Sequence, residues 1–337
     1  MIIKSLFDGY SAGYVALKRA GIKITKYEAY EIDKYCIQVS KNNHPDIVHK
    51  GDVRECKIDS WIDLLIAGSP CQGFSKAGNQ LNFEHKQSKL FFEFVRILKE
   101  AFEINPKVLF LLENVRMKKE WQDIISGIVG IKPILINSSL VSAQNRERLY
   151  WTNIPGITQP EDKEIELKDI IQSGDVDRDK SYCIDANYFK GTNVKQYLCK
   201  KRRQIVWVIP EATKKGFVEV SEGSFIDLTF IKSKTRRGRL MLKKSNCLTA
   251  TNYKYCKVTK DWFRLLTPTE CERLQTLPDD YTKGVSNMQR YKMLGNGWTV
   301  DVISHIFSFI PRLEEKSEGR TSIPPTIKMA GILEVIL

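Results

Sequence analysis

The sequence predicts an α/β protein with a doubly wound, Rossmann-like sheet and a smaller, irregular second domain. Three observations carry that expectation. Short apolar runs recur with room for a helix between them: Ile2 to Phe7, Tyr27 to Tyr30, Asp63 to Ala67 and Val108 to Leu112. Each run closes on a turn or an acidic residue, as strands do at the ligand-binding edge of an open parallel sheet. From about Ile154 to Phe263 that rhythm fades and the chain turns strongly basic.

A chain of 337 residues exceeds what one compact core usually holds, so a large and a smaller domain are expected. With 42% apolar and 28% charged residues it is not a disordered chain. A net charge of +13 favours a polyanionic partner such as nucleic acid. Between Lys190 and Lys260 there are 18 Lys or Arg against 4 Asp or Glu, so the excess is concentrated in that segment. Its clusters, Lys200-Lys201-Arg202-Arg203 and Lys232 to Lys244, alternate with Tyr, Phe and Trp and suit phosphate neutralisation. No run is long enough to span a bilayer, and Met1-Ile2-Ile3-Lys4 leads into a strand without signal-peptide architecture. Eight cysteines occur without a CxxC pair and with only four histidines, which suggests neither a zinc cluster nor a disulfide framework. No metal is expected, and the thiols fit a reducing cytoplasm.

In chain order, Asp8 to Gly13 breaks the first strand into a tight turn, and Val15 to Ala20 reads as a helix capped by Gly21. A small-residue turn there lets a ligand approach the backbone and the helix N-terminus. The second apolar run closes on Glu31-Ile32-Asp33, where doubly wound folds grip ribose hydroxyls, and Gly51-Asp52-Val53 gives another acid at a strand end. A strand stopping near Ala67 sets Cys71 on the loop beyond it. Taken alone, that cysteine is equally a nucleophile or a buried structural thiol. Leu90 to Leu98 has the apolar spacing of a helix, and the strand after Pro106 delivers Glu113-Asn114-Val115. Arg146 and Arg148, two apart, project from one face of a strand. Thr267, Pro268 and Glu270 spell a capping box at a helix start, and Leu294 to Val300 turns into an apolar helix ended by Pro311.

Together these residues resemble the cytosine-5 DNA methyltransferases. The ordered set is Phe7-Asp8-Gly9-Tyr10-Ser11-Ala12-Gly13, Glu31-Ile32-Asp33, Gly68-Ser69-Pro70-Cys71-Gln72, Glu113-Asn114-Val115, Gln144-x-Arg146-x-Arg148, Arg264 to Gln275, and Gly295-Asn296. Leu6 to Gly9, Lys89 to Phe94 and Trp298 look closer to the animal de novo DNA methyltransferases. The resemblance covers roughly 1–153 and 262–310. It implies a catalytic, S-adenosylmethionine-binding domain over 1–153, a basic target-recognition domain over 154–262, a return to the catalytic domain over 263–311 and a tail over 312–337.

It also implies roles. Cys71 is the covalent nucleophile, Glu113 the group at N3 and the exocyclic amine, and Arg148, supported by Arg146, the group at O2. Cofactor contacts fall on Phe7, Tyr10, Gly13, Glu31, Ile32, Asp52, Val53, Pro70, Leu90, Asn296 and Trp298. Gln72, Ser75, Lys201, Arg202, Arg203, Arg236, Arg237 and Arg239 face DNA. The partner is double-stranded DNA, with a cognate restriction endonuclease as a possible companion, and the expected state is a monomer in the cytoplasm of a prokaryotic or phage-infected cell. Ser5, Asp8, Ser11 and Ile32 depart from the bacterial pattern. A tRNA cytosine methyltransferase on the same scaffold is disfavoured because no Cys-Phe-Thr occurs and about 110 residues separate the Arg148 strand from Arg264. Retention of Cys71, Glu113, Arg146 and Arg148 argues against an inactive DNA-binding relative. A nicotinamide oxidoreductase explains neither Cys71 nor the basic segment.

Overall fold

The computed structural model describes residues 1–69, 89–214, 216–218, 224–226, 235, 240–242 and 263–311. Pro70, Cys71, Gln72, Ser75, Arg236, Arg237 and Arg239 lie outside them. The framework is a seven-stranded sheet of β1 (Ile2–Leu6), β2 (Lys26–Tyr30), β3 (Val48–His49), β4 (Leu64–Gly68), β5 (Leu109–Val115), β6 (Ile134–Asn137) and β7 (Glu147–Thr152), in the order β3-β2-β1-β4-β5-β7-β6. The strands β1 to β5 pair in parallel, whereas β7 runs antiparallel to β5 and β6. The chain winds outward from β1 to β3 and then restarts at β4 on the other side of β1. That reversal leaves a crevice beyond the carboxyl ends of β1 and β4, the place where doubly wound folds bind ligands.

Strand alternation explains why the runs are continuously apolar. Leu64, Ile66, Leu109 and Leu111 face one core with α1 (Ala12–Arg19) and the last helix, while Leu65, Ala67, Phe110 and Leu112 face a second core. There they meet Phe94 and Ile97 of α3 (Lys89–Ile104) and Ile125 of α4 (Lys119–Val129). The exception inside β1 is Lys4, which stands opposite Glu28 of β2 and pairs with it at 2.6 Å. Between β2 and β3, α2 (Lys34–Asn43) is capped by Asp33, whose carboxylate accepts from Tyr35 N.

Several bounds differ from expectation. Helix α1 starts at Ala12 and ends at Arg19, with Gly21 at φ +72° just past the C-cap. Strand β5 runs through Glu113 to Val115, because β4 supports it as far as the Gly68–Glu113 pair and β7 pairs with it from Leu111 to Val115. Glu113 is thus held within a strand and is not part of a loop.

Beyond the sheet come α5 (Leu167–Ile170), α6 (Val194–Lys200), β8 (Ile205–Trp207), β9 (Ile209–Pro210), β10 (Phe217–Val218), β11 (Ser224–Ile226), β12 (Leu240–Leu242) and β13 (Phe263–Leu265). Among the described residues these strands pair as short antiparallel couples, and β13 pairs with β8. The chain closes with α7 (Pro268–Leu274), α8 (Asn287–Asn296) and α9 (Val300–Ser308). Both halves of the α7 capping box form: Thr267 accepts from Glu270 N, and Glu270 accepts from Thr267 N. No helix among the described residues is long and apolar enough to cross a membrane.

Candidate active site

At the β1–β2 edge the turn is shaped by three left-handed residues, Phe7, Gly9 and Ser11, at φ +56°, +61° and +65°. A Cβ at Gly9 would meet nothing within 4 Å, so the turn faces open space there. Glu31 ties this turn to the end of β2: one carboxylate oxygen accepts from Gly9 N at 2.9 Å, the other from Ile32 N and Asp33 N at 2.8 and 2.7 Å. Ile32 is 72% exposed, an apolar side chain standing free beside that carboxylate. Asp52 caps the short 3-10 turn Val53–Glu55 and pairs with the Arg54 side chain, while Val53 itself is buried. Leu90 lies half-buried in the first turn of α3.

Tyr10 is the residue whose side chain turns away. Its ring is buried in the core edge-on to Tyr281, and its hydroxyl donates to Trp298 O. Any ligand contact at Tyr10 therefore falls to its main chain. Gly13 lies where α1 crosses the sheet, and a Cβ there would meet Ile66 at 2.6 Å. Beneath the turn, Asp8 accepts from Tyr27 and Ser11. Burial pushes its pKa up to about 6, against the lowering effect of hydrogen bonds from Ser11, Ser5 and Tyr27.

At the β5–β7 edge the contacts are between charged and polar side chains. Glu113 is buried, and its two oxygens are held from opposite sides by Arg148 Nε at 3.0 Å and Trp298 Nε1 at 3.1 Å. Trp298 in turn lies against Gly13 and Gly68, so it spans from the first turn to β5. Its neighbour Asn296 is exposed at the end of α8. Asn114 donates to Ser69 Oγ at 2.9 Å and so fixes the last described residue before Cys71 against β5.

The structure separates the two arginines. Arg146 precedes β7 and is 2% exposed. Its guanidinium donates to Ile184 O at 3.1 Å, Gly295 O at 3.1 Å and Gly297 O at 2.7 Å, and also reaches Cys183 Sγ at 3.2 Å. It grips the Gly295–Gly297 turn, whereas Arg148 faces Glu113.

That turn sits in a buried polar web absent from our sequence reading. Gln144 donates to Leu274 O at 2.8 Å, Gln275 donates to Leu294 O at 2.6 Å and to Gly297 O at 3.2 Å, and Thr299 donates to Gln275 at 2.9 Å. The web allows no side chain at Gly295, where a Cβ would strike the Asp185–Ala186 backbone, or at Gly297, where it would strike the Tyr10 ring. The one sequence signal for it is a set of uncharged polar residues inside segments that otherwise read as core.

The basic cluster is partly occupied. Arg202 pairs with Asp185 at 2.6 Å and Arg203 donates to Gly191 O at 2.6 Å, while Lys201, the left-handed C-cap of α6, is exposed.

A parallel sheet with an antiparallel final pair, a glycine turn after β1 and an acid at the end of β2 define an α/β protein of the doubly wound class. The family model for C-5 cytosine-specific DNA methylase matches residues 1–312, and the chain belongs to that family. It is 28% identical to the type II methyltransferase M.Eco47II of Escherichia coli, covering 94% of this chain and 80% of that one. With M.HpaII of Haemophilus parainfluenzae identity is 27%, over 88% of this chain and 86% of the other. The orphan methyltransferase M.SPRI of Bacillus phage SPR is 35% identical over 51% of this chain and 42% of its own. Among solved structures, the Entamoeba histolytica methyltransferase EhMeth superposes with a TM-score of 0.62 at 16% identity, covering 92% of this chain and 97% of that one. The S. pombe Dnmt2 methyltransferase gives 0.57 at 16%, over 91% and 97%, and these two likenesses concern the fold. The protein is accordingly a DNA cytosine-5 methyltransferase, and its family uses a methyl donor of the S-adenosylmethionine type.

Proposed function

We propose that the protein methylates C5 of cytosine in double-stranded DNA through a covalent bond between Cys71 and C6, on a base flipped out of the duplex. The observation that carries this reading is the Glu113 carboxylate held between Arg148 and Trp298, one strand over from the β4 end that leads to Cys71. Cytosine C5 is a poor nucleophile until a thiolate adds to C6, and the charge that then develops on the ring needs donors at N3 and O2. Glu113 accepts from the exocyclic amine and, once protonated, donates to N3. Arg148 donates to O2. Arg146 contributes by fixing the turn that carries Trp298. Water takes the C5 proton, and expulsion of the Cys71 thiolate completes the turnover.

The β1–β2 edge fits S-adenosylmethionine: an open space over Gly9, a carboxylate at Glu31 and the exposed Ile32 side chain beside it. Phe7, the main chain of Tyr10, Gly13, Asp52, Val53, Pro70, Leu90, Asn296 and Trp298 complete the pocket. When bound, the cofactor supplies an electrophilic methyl group to the activated C5. We assign 1–153 and 263–311 to the catalytic domain and the basic 154–262 to target recognition, with Gln72, Ser75, Lys201, Arg202, Arg203, Arg236, Arg237 and Arg239 on the DNA side. We further infer a monomer, acting in the cytoplasm of a prokaryotic or phage-infected cell, with or without a cognate endonuclease. The relatives named as type II and orphan phage enzymes support that setting.

The test is transfer of labelled methyl groups from S-adenosylmethionine to duplex DNA, with tRNA as the competing acceptor. Cys71→Ser abolishes transfer, and 5-fluorocytosine DNA traps an adduct on Cys71. Undiminished transfer by Cys71→Ser, or an adduct on another residue, refutes the mechanism. Bisulfite sequencing of DNA from expressing cells then reads the target site.

A further inference from the structure

We propose that Cys183 is a positioning residue, a charge-bearing acceptor that holds the two site arginines and so aims Arg148 at Glu113 and the base. This deepens the reading above and rests on its assignment of Arg148.

The sulfur stands beside the Arg146 guanidinium, whose Nη1 donates to it at 3.2 Å, and lies 3.5 Å from Ile184 O; Arg148 joins Arg146 in lowering the thiol's pKa. The placement is built into the backbone. Asn145 N donates to Ser181 O at 2.9 Å, Ser181 N donates to Ala143 O at 2.7 Å, and Ile184 N donates to the Gln144 side chain at 3.3 Å. The segment 181–184 is thereby laced to the segment that launches Arg146 and Arg148, and Cys183 cannot drift from them.

Charge makes the same point. Arg146 and Arg148 bring two positive charges into a desolvated cluster, and Glu113 returns one negative charge. The nearby acids are committed elsewhere, Asp185 to Arg202 and Glu147 to Arg116. Among the described residues one positive charge is in excess there, and an ionised thiol at Cys183 closes the balance. Burial by itself raises the thiol's pKa, but Arg146 and Arg148 outweigh it, and the net direction is below the ordinary thiol value. Losing this acceptor takes one partner from Arg146 Nη1, which keeps Ile184 O, and loosens the hold on Arg148 beside Glu113.

The decisive measurement is the ultraviolet thiolate absorbance of the Cys71→Ser protein against pH, compared with the Cys71→Ser/Cys183→Ser protein. The difference titrates below the roughly 8.5 of an unperturbed thiol, and Arg148→Ala moves it upward. A difference that titrates at or above that value, or ignores Arg148→Ala, overturns the proposal. The pH dependence of the iodoacetamide alkylation rate of Cys183, mapped by mass in the Cys71→Ser protein, gives the same titration without substituting Cys183.

In the Cys71-bearing enzyme, Cys183→Ala lowers kcat by about tenfold to a hundredfold with KM for S-adenosylmethionine unchanged. Cys183→Ser, which keeps an acceptor, recovers part of the loss. Unchanged kcat in Cys183→Ala also overturns the proposal. The thiol titration needs no methyl transfer, so it stands or falls separately from the proposed reaction.

Discussion

The two ends of the crevice are built by different physics. At the β1–β2 end, left-handed turn residues and main-chain amides shape the surface, and the chief side-chain latch is Glu31. At the β5–β7 end, Glu113, Arg146, Arg148 and Trp298 act through their side chains, and their partners lie far away in sequence, Gly297 for Arg146 and Trp298 for Glu113. A surface made of backbone tolerates changes of an exposed side chain such as Ile32, whereas Asp8 and Ser11 beneath the turn hold fixed side-chain hydrogen bonds. A site made of buried charges tolerates few changes, because each lost partner leaves a desolvated group unmatched.

The largest effect expected follows from that contrast. Glu113→Gln and Arg148→Ala lower kcat by about 10²–10³, read as labelled methyl transfer at saturating cofactor, while Ile32→Ala at the other end chiefly raises KM for the cofactor. A comparable fall in kcat for Ile32→Ala would erase the distinction between the two ends.

Arg146 divides the β5–β7 end itself. Its donors are spent on the carbonyls of Ile184, Gly295 and Gly297. Arg146→Ala therefore costs about 3 kcal/mol or more of stability, seen as a lower urea midpoint, whereas Arg148→Ala acts mainly on kcat. If Arg146→Ala leaves the midpoint in place and reduces kcat as Arg148→Ala does, the two arginines share one role after all.

The same division explains what the sequence disclosed. The sheet was legible, because buried parallel strands show up as apolar runs and their ends as turns or acids; Lys26 to Tyr30 and Leu64 to Gly68 fall within one residue of expectation. The candidate site residues could be named only through their family resemblance. Their wiring was not. Spacing shows Arg146 and Arg148 as equivalent, and only the tertiary structure sends one to the Gly295–Gly297 turn and the other to Glu113. Gln144, Gln275 and Thr299 show in the sequence only as uncharged polar residues, and their pairing is hidden because their partners lie across the fold. Tyr10 sits in the glycine turn next to Gly9, which faces open space, yet its ring fills the space beneath Gly297.

A third effect tests the backbone-built end by pH. Asp8 has its pKa raised from 3.8 to about 6, chiefly by burial. The folded state thus holds the proton where the unfolded chain has lost it. The stabilising contribution of Asp8 is complete below pH 4 and declines as pH rises toward 6. At 1.36 kcal/mol per pKa unit the full span is at most about 3 kcal/mol. Asp8→Asn keeps an acceptor for Tyr27 and a donor for Ser11 but does not ionise. Urea denaturation at pH 4 and at pH 7 should show the slope in the original protein and its loss in Asp8→Asn. A slope that survives the substitution assigns the proton to another group.

The smallest effect asks whether the polar web extends into the helix behind it. Thr267 caps α7, and that helix ends at Gln275, which donates to Leu294 O and Gly297 O. Thr267→Ala removes the acceptor for Glu270 N and the hydroxyl that donates to Gln172, but Glu270 keeps its bidentate pairing with Arg264 at 2.7 Å. The helix start therefore frays without releasing its far end. The expected cost is about 1 kcal/mol, measured by thermal or urea denaturation, with kcat unchanged. A kcat that falls with this distant cap means that the Gly295–Gly297 turn is held from α7 as well as by Arg146, and the base-binding end is then larger than the side chains that face it.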